Sequence, residues 1–485
     1  MVVSVLGKTS PTVVGSASRC RSATLLQKNS NLKHWQSVRI NSTFSLAGTS
    51  SIPSVAPPPL AALPTGVLLR SLLVATISSK PFLLLPCLSV LSALCKPGRG
   101  PLLDVDRNVI LHSILKRTFY NQFCAGETGA ETKATLRRFK DMGFQGTILT
   151  YAKETVFDSR TNTAHAVEGG KNTGSDSSDA QHCPNIEAWR KGTLETVDLL
   201  GENDYLALKL TGAGTAVTEA FAAGKLPPPQ MMDALDEICA KCKARKTRML
   251  IDGESQHFQW GILRVTIELM RKYNRDGYAL VYNSYQAYLK STPTTLAKHL
   301  AIAGQEGFTL GLKLVRGAYI ASDERSLIND TKQQTDEAYN GIAQGALRRE
   351  IGEFGAENGR PFPSVNLFLA SHNKASVMDA HRMHQQRIRA ELPTVPVGFA
   401  QLHGMSDEVS FGLLQLKGSN GSPQVYKCST WGGMGECLAY LLRRAIENRD
   451  AVSRTGDEYA ALKWEVWRRL KSLFGFNVVG SSKVH

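Results

Sequence analysis

The sequence predicts an α/β protein, a (βα)8 TIM-type barrel with an N-terminal helical extension, and three observations lead to this fold. First, from about residue 105, short apolar or β-branched runs alternate with amphipathic helical segments such as 258–273 and 286–304. Second, eight such runs occur, the number of parallel strands that closes this barrel. The runs are residues 146–151, 204–210, 248–252, 279–283, 310–315, 366–370, 397–402 and 424–428.

The third observation is the lack of a dinucleotide-binding fingerprint. An open, doubly wound sheet would alternate in the same way, but it normally carries a G-x-G-x-x-G turn after a strand. The nearest candidate begins at Gly212 and Gly214 and has Val217 where the third glycine is needed. The barrel is therefore favoured. Residues 156–183, rich in Gly, Ser, Asn and Asp, predict a long polar loop inserted after the first strand.

The positive charge is concentrated at the N-terminus. The net charge is +15, but the first 103 residues contain ten Lys or Arg and no Asp or Glu. An acid-free, Ser-rich and Arg-bearing start predicts a mitochondrial transit peptide over residues 1–50. The rest of the chain has 47 basic and 42 acidic residues. This near balance does not predict a nucleic-acid partner.

The remaining chain divides into three predicted parts. Residues 51–104 form a basic, apolar extension, 105–470 the barrel domain and 471–485 a C-terminal tail. Within the extension, the uncharged run 81–95 is shorter than the ~20 residues that span a bilayer. The apolar stretch 67–95 is therefore predicted to pack on the barrel or to touch a membrane surface.

The cysteines and histidines predict neither a disulfide framework nor a metal site. Nine cysteines are scattered along the chain, an odd number. Cys239 and Cys242 form a C-x-x-C pair, but no second ligand pair accompanies them in the sequence. His372 and His403 likewise lack companions at zinc-ligand spacing.

Polar residues collect where the predicted strands end. The carboxyl ends of barrel strands meet at one rim, where barrel enzymes build their active sites. These side chains are therefore predicted to converge. They are Lys209, Asp252, Glu254, Asn283, Gln286, Tyr288, Lys313, Arg316, Tyr319, Ser371, His372, Asn373, Gln401 and His403.

The last predicted barrel helix, 437–449, has two contrasting faces. Helical spacing gathers an apolar stripe on one side and a polar face on the other. The polar face is either an ordinary solvated, salt-bridged surface or a clamp whose guanidinium groups bind a carboxylate bidentately, with the glutamate orienting them. The stripe is Leu438, Leu441, Leu442 and Ala445, and the polar face is Tyr440, Arg443, Arg444 and Glu447.

Seven segments of the sequence resemble the proline dehydrogenase family, in that family's order, between about residues 105 and 460. KLVRGAY and YLLRRAIEN are the most specific of them. The length and the basic leader are similar to those of fungal mitochondrial members. The segments are LKLTGAG (208–214), LIDGESQHFQ (250–259), VYNSYQAYLK (281–290), KLVRGAY (313–319), LASHN (369–373), QLHGMSD (401–407) and YLLRRAIEN (440–448).

The resemblance implies a distorted barrel that holds FAD and oxidises L-proline to Δ1-pyrroline-5-carboxylate. It also implies transfer of the electrons to ubiquinone, by a protein peripherally attached to the matrix side of the inner mitochondrial membrane. In such an enzyme the flavin supplies the redox chemistry, and the protein supplies orientation and electrostatics.

The resemblance also implies roles for individual residues. Asp252 and Lys313 fall at catalytic positions, and Lys313 would stabilise negative charge on the reduced flavin. Lys209, Arg443 and Arg444 would hold the proline carboxylate. The other substrate-pocket residues would be Tyr319, Cys428, Tyr440 and Glu447, and the flavin contacts would be Gln286, Arg316, Gly317, Ala318, Ser371 and His372.

One position departs from the family pattern. Cys428 stands where the family usually has a tyrosine that walls the substrate pocket, and STWGG (429–433) replaces a VPYG-like or VPWG-like stretch. The smaller side chain predicts tolerance of a 4-hydroxyl group or a larger ring, unless a neighbour such as Trp431 fills the space. Two alternatives follow: a flavoenzyme for hydroxyproline or another cyclic imino acid, and a catalytically silent, membrane-associated barrel. Retention of five charged residues, Lys209, Asp252, Lys313, Arg443 and Arg444, argues against the silent barrel.

Overall fold

The structure is a computed structural model, and it describes most of the chain beyond residue 56. The predicted transit peptide and the end of the predicted tail lie outside the described residues. For residues 154–158, 163–167, 447 and 452–455 only the backbone is described. The described residues are 57–96, 100–151, 154–158, 163–167, 182–416, 421–447 and 452–474.

Eight parallel strands close into a barrel, which confirms the predicted fold. Their order around the barrel is β1-β10-β9-β8-β7-β6-β5-β4, and the circle closes where Ile148 of β1 pairs with Tyr205 of β4. Two further described strands, β2 and β3, lie outside the barrel. The strands are β1 (Gly146–Tyr151), β2 (Glu154–Asp158), β3 (Thr163–Val167), β4 (Tyr205–Leu208), β5 (Arg248–Ile251), β6 (Val281–Gln286), β7 (Leu310–Val315), β8 (Val365–Ala370), β9 (Val397–Leu402) and β10 (Gln424–Trp431).

Two strands extend further than their apolar runs predicted. β6 ends at Gln286, because its polar residues near the rim still pair with β7, Gln286 opposite Val315. β10 continues to Trp431, which pairs with Tyr151 of β1. In both strands backbone pairing, not side-chain hydrophobicity, decides where the strand ends.

The predicted polar loop at 156–183 is partly wrong. The backbones of β2 and β3 form a two-stranded antiparallel hairpin, with Glu154 opposite Val167. Each strand contains β-favouring residues, and the polar residues 159–162 separate them.

Helices lie between the strands and at both ends of the described part of the chain. The predicted helix 258–273 is confirmed, whereas the one predicted over 286–304 starts at Thr292 because β6 occupies its first residue. The helices are α1 (Thr65–Ser78), α2 (Pro81–Cys95), α3 (Val109–Leu115), α4 (Asn121–Phe123), α5 (Gly129–Asp141), α6 (Pro184–Leu199), α7 (Thr215–Ala222), α8 (Pro229–Ala244), α9 (Gln256–Tyr273), α10 (Thr292–Glu306), α11 (Lys332–Arg348), α12 (Lys374–Arg389), α13 (Asp407–Leu414), α14 (Met434–Glu447) and α15 (Val452–Leu473).

The N-terminal extension is helical and packs on the barrel domain. α1 lies against α15, and α2 lies against α14. Among the described helices no single one is long and apolar enough to cross a membrane, although α1 and α2, bent by 100° to one another, satisfy that test as a pair. Leu94 of α2 and Leu438 and Leu441 of α14 share a small core, so the predicted apolar stripe of α14 is buried largely against this part of the chain.

Aromatic side chains fill the amino-terminal half of the barrel. Tyr205, Tyr282, Phe368 and Tyr426 are buried there, and the ring centroids of Tyr205 and Phe368 are 4.9 Å apart. With this half packed, the space inside the barrel lies at the carboxyl ends of the strands, where the polar residues were predicted to meet.

Candidate active site

A cavity of about 480 Å³ opens at the carboxyl ends of the barrel strands. Most of the sequence-predicted site residues line it, although they come from segments more than two hundred residues apart. Those that line it are Lys209, Asp252, Gln286, Tyr288, Lys313, Arg316, Gly317, Ala318, Tyr319, Ser371, His372, Gln401, Cys428, Tyr440 and Arg444.

A carboxylate between two lysines forms the floor of this cavity. Lys209 and Asp252 directly follow β4 and β5, and Lys313 lies within β7. Asp252 accepts a hydrogen bond from Lys209 Nζ at 2.9 Å on one oxygen and from Lys313 Nζ at 2.6 Å on the other. Lys209 is 3% exposed and Lys313 9% exposed. Burial of such charges is tolerated because each is paired.

The charges in this cluster reinforce one another. Burial by itself would raise the pKa of Asp252, but the two ammonium groups overcome that effect and hold it below its usual range. Burial likewise opposes the charged form of Lys209, and Asp252 more than compensates, so the pKa of Lys209 is raised. Two ammonium groups and one carboxylate leave an excess positive charge, which favours an anionic ligand.

Glu254 supports the cluster from beneath. Its carboxyl group is buried and accepts hydrogen bonds from the backbone amide of Leu210 at 2.8 Å and from the amide and hydroxyl of Thr211. It thus fixes the chain that follows Lys209. Burial raises the pKa of Glu254 to about 7, although Lys209 and Thr211 act against the rise. The sequence placed Glu254 near the rim but gave no sign that it is buried.

The buried Glu254 predicts a pH dependence of stability. Its pKa is raised from the ~4.3 of an unfolded glutamate, so its stabilising contribution is fully present below pH ~4.3 and is lost as the pH rises through its folded pKa of about 7. The unfolding free energy of the parent protein relative to Glu254→Gln should therefore fall by roughly 1–3 kcal/mol between pH 4.5 and 7.5. Urea unfolding of both proteins at several pH values measures this difference. A constant difference, equal to that for the exposed Glu268→Gln, would contradict it.

Arg316 is held rigidly on one side of the cavity. Its Nε donates to Asp336 at 2.9 Å, and its terminal nitrogens donate to Ser371 and Ser376. Its guanidinium also lies 4.2 Å from the centroid of the Tyr339 ring. Held in this way, the cation presents a fixed positive charge at the cavity wall.

The residue after Arg316 must be glycine. Gly317 has a φ of +134°, and a Cβ there would lie 2.3 Å from the ring of Tyr288. That ring cannot easily move, since its hydroxyl donates to Asp323 at 2.8 Å. Glycine at 317 therefore lets the Tyr288 ring pack directly against the backbone of this part of the cavity wall.

Gly317→Ala should destabilise the protein by roughly 2–3 kcal/mol, because it combines a disfavoured backbone conformation with overpacking. Gly341→Ala is the matched control, since open space surrounds this helical glycine and alanine favours helix. Thermal or urea unfolding of both variants measures the effect. Equal stability of the two variants would show that the Tyr288 ring yields without cost.

Three more predicted residues are fixed by hydrogen bonds near the rim. Gln286 Nε2 donates to the carbonyl of Glu254 at 3.0 Å. Ser371 accepts from the amide of Asn373 as well as from Arg316. His372 Nε2 accepts from the amide of Leu402 at 3.2 Å, which assigns the proton of the neutral ring to Nδ1.

The polar face of α14 borders the cavity. Tyr440 is 7% exposed, so this face is not an ordinary solvated surface. The guanidinium of Arg444 lies 5.3 Å from the Tyr440 centroid and lines the cavity, whereas that of Arg443 lies 5.8 Å from the Tyr319 centroid and does not. The side chain of Glu447 lies outside the described residues.

Cys428 lies on the inner face of β10, at the boundary between the aromatic barrel core and the cavity. Burial raises the pKa of its thiol to about 11. Of the two alternatives for the adjoining space, the one in which Trp431 fills it is excluded, because the Trp431 indole faces α6 and donates to Thr196 at 3.0 Å. Side chains alternate between the two faces of a strand, so Trp431, three positions after Cys428, points to the opposite face.

The β7–α11 connection contributes residues that sequence reasoning missed. Residues 316–331 are longer than the usual connection of 2–6 residues in such units. This length, together with its charged residues, was the available signal for a functional loop. From this connection and the first residue of α11, the cavity wall receives Arg325, Asn329, Asp330, Thr331 and Lys332.

The cysteine pair on α8 lies away from the cavity. Cys239 and Cys242 are buried in the main core, and burial raises the pKa of both thiols, which keeps them in the unreactive thiol form. Within the described part of the chain no group of three or more His, Cys, Asp or Glu residues could hold a metal ion.

Comparison with known families agrees with this geometry. The family model described as "Proline dehydrogenase" matches residues 132–457, two thirds of the chain. The chain belongs to the proline dehydrogenase family. The match runs from α5 through α14 and includes every barrel strand and every rim residue described above.

Curated relatives in the proline dehydrogenase family include enzymes of two names. The probable mitochondrial proline dehydrogenase of Schizosaccharomyces pombe is 33% identical over 245 residues, 48% of this chain and 49% of that protein. Human mitochondrial proline dehydrogenase 1 is 32% identical over 308 residues, 59% of this chain and 49% of that protein. The matches thus span about half the length of these relatives. Bovine hydroxyproline dehydrogenase is 28% identical over 397 residues, 74% of this chain and 82% of that protein.

Solved structures share the fold. Proline utilization A from Bdellovibrio bacteriovorus, inactivated by N-propargylglycine, superposes with a TM-score of 0.57 at 14% identity. The superposition covers 79% of this chain and 38% of that one. At this identity the comparison supports the barrel fold of the proline dehydrogenase family and no residue-level role.

Proposed function

We propose that this protein is a proline dehydrogenase that uses FAD to oxidise L-proline to Δ1-pyrroline-5-carboxylate and passes the electrons to ubiquinone. The observation that carries the proposal is the Lys209–Asp252–Lys313 cluster at the barrel mouth, with Arg444 of α14 at the same cavity. A silent binding protein has no need for so many charges buried together, because each costs free energy to desolvate.

The cationic groups suit the carboxylate of an imino acid. Lys209 and Arg444 line the same cavity, and a guanidinium can bind a carboxylate through two parallel hydrogen bonds. Arg443 contributes positive charge from behind the Tyr319 ring. Tyr319 and Tyr440 supply apolar ring surface against which the carbon ring of the substrate can pack.

Asp252 serves to position the two lysines. Both of its oxygens already accept ammonium hydrogen bonds, and the surrounding positive charge keeps its pKa low. It is therefore unsuited to remove a proton from substrate nitrogen at neutral pH. Its role is to hold Lys209 where the substrate carboxylate would bind. It also holds Lys313 where the flavin would bind.

The outer part of the cavity has the chemistry that an FAD molecule requires. Gly317 and Ala318 line the cavity, and their small size leaves room beside this wall for a planar ring system. Arg316, Arg325 and Lys332 line the cavity and offer positive charge to a diphosphate. Gln286, Ser371 and His372 add hydrogen-bonding groups.

When bound, FAD would supply the hydride acceptor for oxidation of the ring carbon next to the substrate nitrogen. The protein's own part is to hold the carboxylate, to exclude water from the buried floor and to place Lys313 where negative charge develops.

The proposed location is the matrix side of the inner mitochondrial membrane, with peripheral attachment. The acid-free segment 1–50, proposed as a transit peptide, and the mitochondrial names of the yeast and human relatives support it. Exposed apolar side chains on α1, α2 and α15, among them Leu69, Phe82 and Trp467, suit contact with lipid. On this proposal residues 105–470 form the catalytic domain, 51–104 the extension and 471–485 the tail.

The visible spectrum of the purified protein tests this proposal. The expected result is a pair of flavin absorption bands that L-proline bleaches without oxygen, with formation of the cyclic imine. A protein that binds no flavin even after incubation with FAD would instead support the silent barrel.

A second candidate is a related enzyme for hydroxyproline or another cyclic imino acid. Cys428 favours it, because it lines the cavity and the Trp431 ring points elsewhere. In addition, the match to bovine hydroxyproline dehydrogenase covers 82% of that protein, whereas the matches to the yeast and human proline dehydrogenases each cover 49% of those proteins.

Cys428→Tyr should shift the substrate preference towards proline. The phenol would occupy space that a 4-hydroxyl group or a six-membered ring needs. The kcat/KM for hydroxyproline and pipecolate should therefore fall about tenfold relative to that for proline, which corresponds to a difference of ~1.4 kcal/mol in activation free energy. Steady-state rates with the three substrates measure the ratio, with Cys428→Ser as the small-residue control. An unchanged ratio in the tyrosine variant would remove Cys428 as a specificity determinant.

A further inference from the structure

A second cavity adjoins the first behind the rim, between the N-terminal helices and α14. We call it the hairpin chamber, defined by Val74 of α1, Leu84 and Leu88 of α2, Phe119 of the π-helical turn Lys116–Tyr120, and Leu441 of α14. It is lined mainly by aliphatic and aromatic side chains.

The hairpin chamber lies directly beside the candidate active site. Leu402, Cys428, Tyr440 and Arg444 line both cavities. A molecule in the chamber would therefore come close to whatever occupies the barrel mouth, without passing through the polar opening beside Arg325 and Lys332.

A few polar groups stand at the inner end of the chamber. His403 lies there, and its Nδ1 is 3.0 Å from the hydroxyl of Ser429. Burial lowers the pKa of His403 to about 3, so its ring is neutral at physiological pH. Glu458 of α15 also lines the chamber and accepts a hydrogen bond from the amide of Ser406 at 2.9 Å. A ligand there meets mainly apolar side chains and a small number of hydrogen-bonding groups.

The outer faces of the helices around the chamber are apolar and exposed. Leu69 of α1 is 52% exposed and Phe82 of α2 70% exposed, and Trp467 and Phe474 lie at the end of α15, which packs on α1. A patch of this kind on an otherwise charged protein marks an interaction surface, and exposed Trp, Phe and Leu suit a lipid interface. The chamber thus lies between an apolar outer surface and the redox site.

We propose that the hairpin chamber binds a lipid-soluble quinone, its ring towards Cys428 and Tyr440 and its hydrocarbon chain between α1 and α2. This inference rests on the proposed function, in which a quinone accepts the electrons. In the overall reaction the imino acid loses two electrons and two protons, and the quinone gains both to become the quinol. A simple acyl chain would gain nothing from contact with the active-site wall, whereas an electron acceptor requires it.

Filling the chamber tests the proposal. Val74→Trp and Leu84→Trp each place a bulky ring in it, on different helices. Leu69→Trp and Leu85→Trp are matched controls, because these residues lie on the same helices and do not line the chamber. The full-length holoprotein, in mild detergent, is assayed for equilibrium binding of decyl-ubiquinone and for proline oxidation with decyl-ubiquinone or with a soluble ferricenium acceptor.

The expected result is at least tenfold weaker decyl-ubiquinone binding and a similar loss of quinone-dependent rate in both chamber variants. The ferricenium rate and both control variants should stay within about twofold of the parent protein. Unchanged quinone binding in the chamber variants would overturn the proposal. Equal affinity of the parent protein for decanol and decyl-ubiquinone would also overturn it, since the chamber would then recognise only a hydrocarbon chain.

Photolabelling covers the case in which a tryptophan variant does not fold. An azido-quinone should label peptides from α1, α2 and α14 of the parent protein, and labelling confined to other segments would overturn the proposal. These binding readouts do not need proline turnover. A protein that binds quinone in the chamber but does not oxidise proline would therefore refute the proposed function and leave the quinone site standing. Ferricenium-coupled proline oxidation without labelling of the chamber would refute the quinone site and leave the proposed function standing.

Discussion

Replacing Arg444 by methionine is expected to raise the KM for proline about 100- to 1,000-fold, with a much smaller change in kcat. Methionine keeps an unbranched apolar stem beside Tyr440 but removes the guanidinium that faces the cavity. Removing one partner of a largely desolvated charge pair, here the guanidinium that would pair with the substrate carboxylate, costs roughly 3–4 kcal/mol of binding free energy. That free energy corresponds to the expected change in KM. Steady-state kinetics with proline measure the effect.

The control for Arg444 is Arg382→Met, because Arg382 lies on the surface of α12 and pairs with Asp379 across one helical turn. That variant should keep the parent KM. Equilibrium binding of a non-oxidisable cyclic carboxylate should weaken in parallel with the change in KM. A proline KM within threefold of the parent value in Arg444→Met would exclude Arg444 as a carboxylate ligand.

Asp252→Asn is expected to lower the unfolding free energy by about 3–5 kcal/mol. The substitution keeps the shape of the side chain but leaves the ammonium groups of Lys209 and Lys313 buried without a counter-charge. The electrostatic penalty should also draw the pKa of Lys209 downwards, since Asp252 is the main group that raises it. Denaturant unfolding at pH 7 measures the loss.

Asp236→Asn is the matched control for Asp252. Asp236 pairs with Lys272 at 2.7 Å, but the Lys272 side chain is 57% exposed and that of Asp236 37% exposed. Such surface pairs contribute about 0–1 kcal/mol. If the two aspartate variants lost similar stability, the buried cluster would be no more important to the fold than a surface ion pair. The double variant Asp252→Asn with Lys313→Met should be more stable than Asp252→Asn alone, because one of the two unpaired buried ammonium groups is then removed.

The local pattern of the sequence predicted most of the barrel. β1, β7 and β9 begin and end at the predicted residues, because their apolar runs coincide with the hydrogen-bonded segments. The strand order then follows from the regular alternation of strands and helices, since consecutive strands of a parallel barrel are neighbours. Prediction was wrong at the ends of β6 and β10, where polar or small residues near the rim continue the pairing, and at β4, which ends at Leu208 and not at residue 210. It was also wrong at β2 and β3, because the polar residues 159–162 between them resembled part of a loop.

The rim residues were also predictable as a group, but their individual geometry was not. Strand ends converge whatever their side chains, so Lys209, Asp252 and Lys313 could be expected to approach one another. Nothing in the sequence required one carboxylate to take both lysines, or Glu254 to be buried with a raised pKa. Those features depend on how deeply each side chain lies, which residues distant in sequence decide.

The sequence by itself determined an α/β barrel with a charged mouth and, through its motifs, the proline dehydrogenase family. The tertiary structure decided which arginine of α14 faces the cavity, that Trp431 turns away from Cys428, and that α1 and α2 enclose an apolar chamber beside the mouth. The physical reason is that periodicity specifies the faces of single elements, whereas the space between elements is set by the packing of side chains from distant parts of the chain.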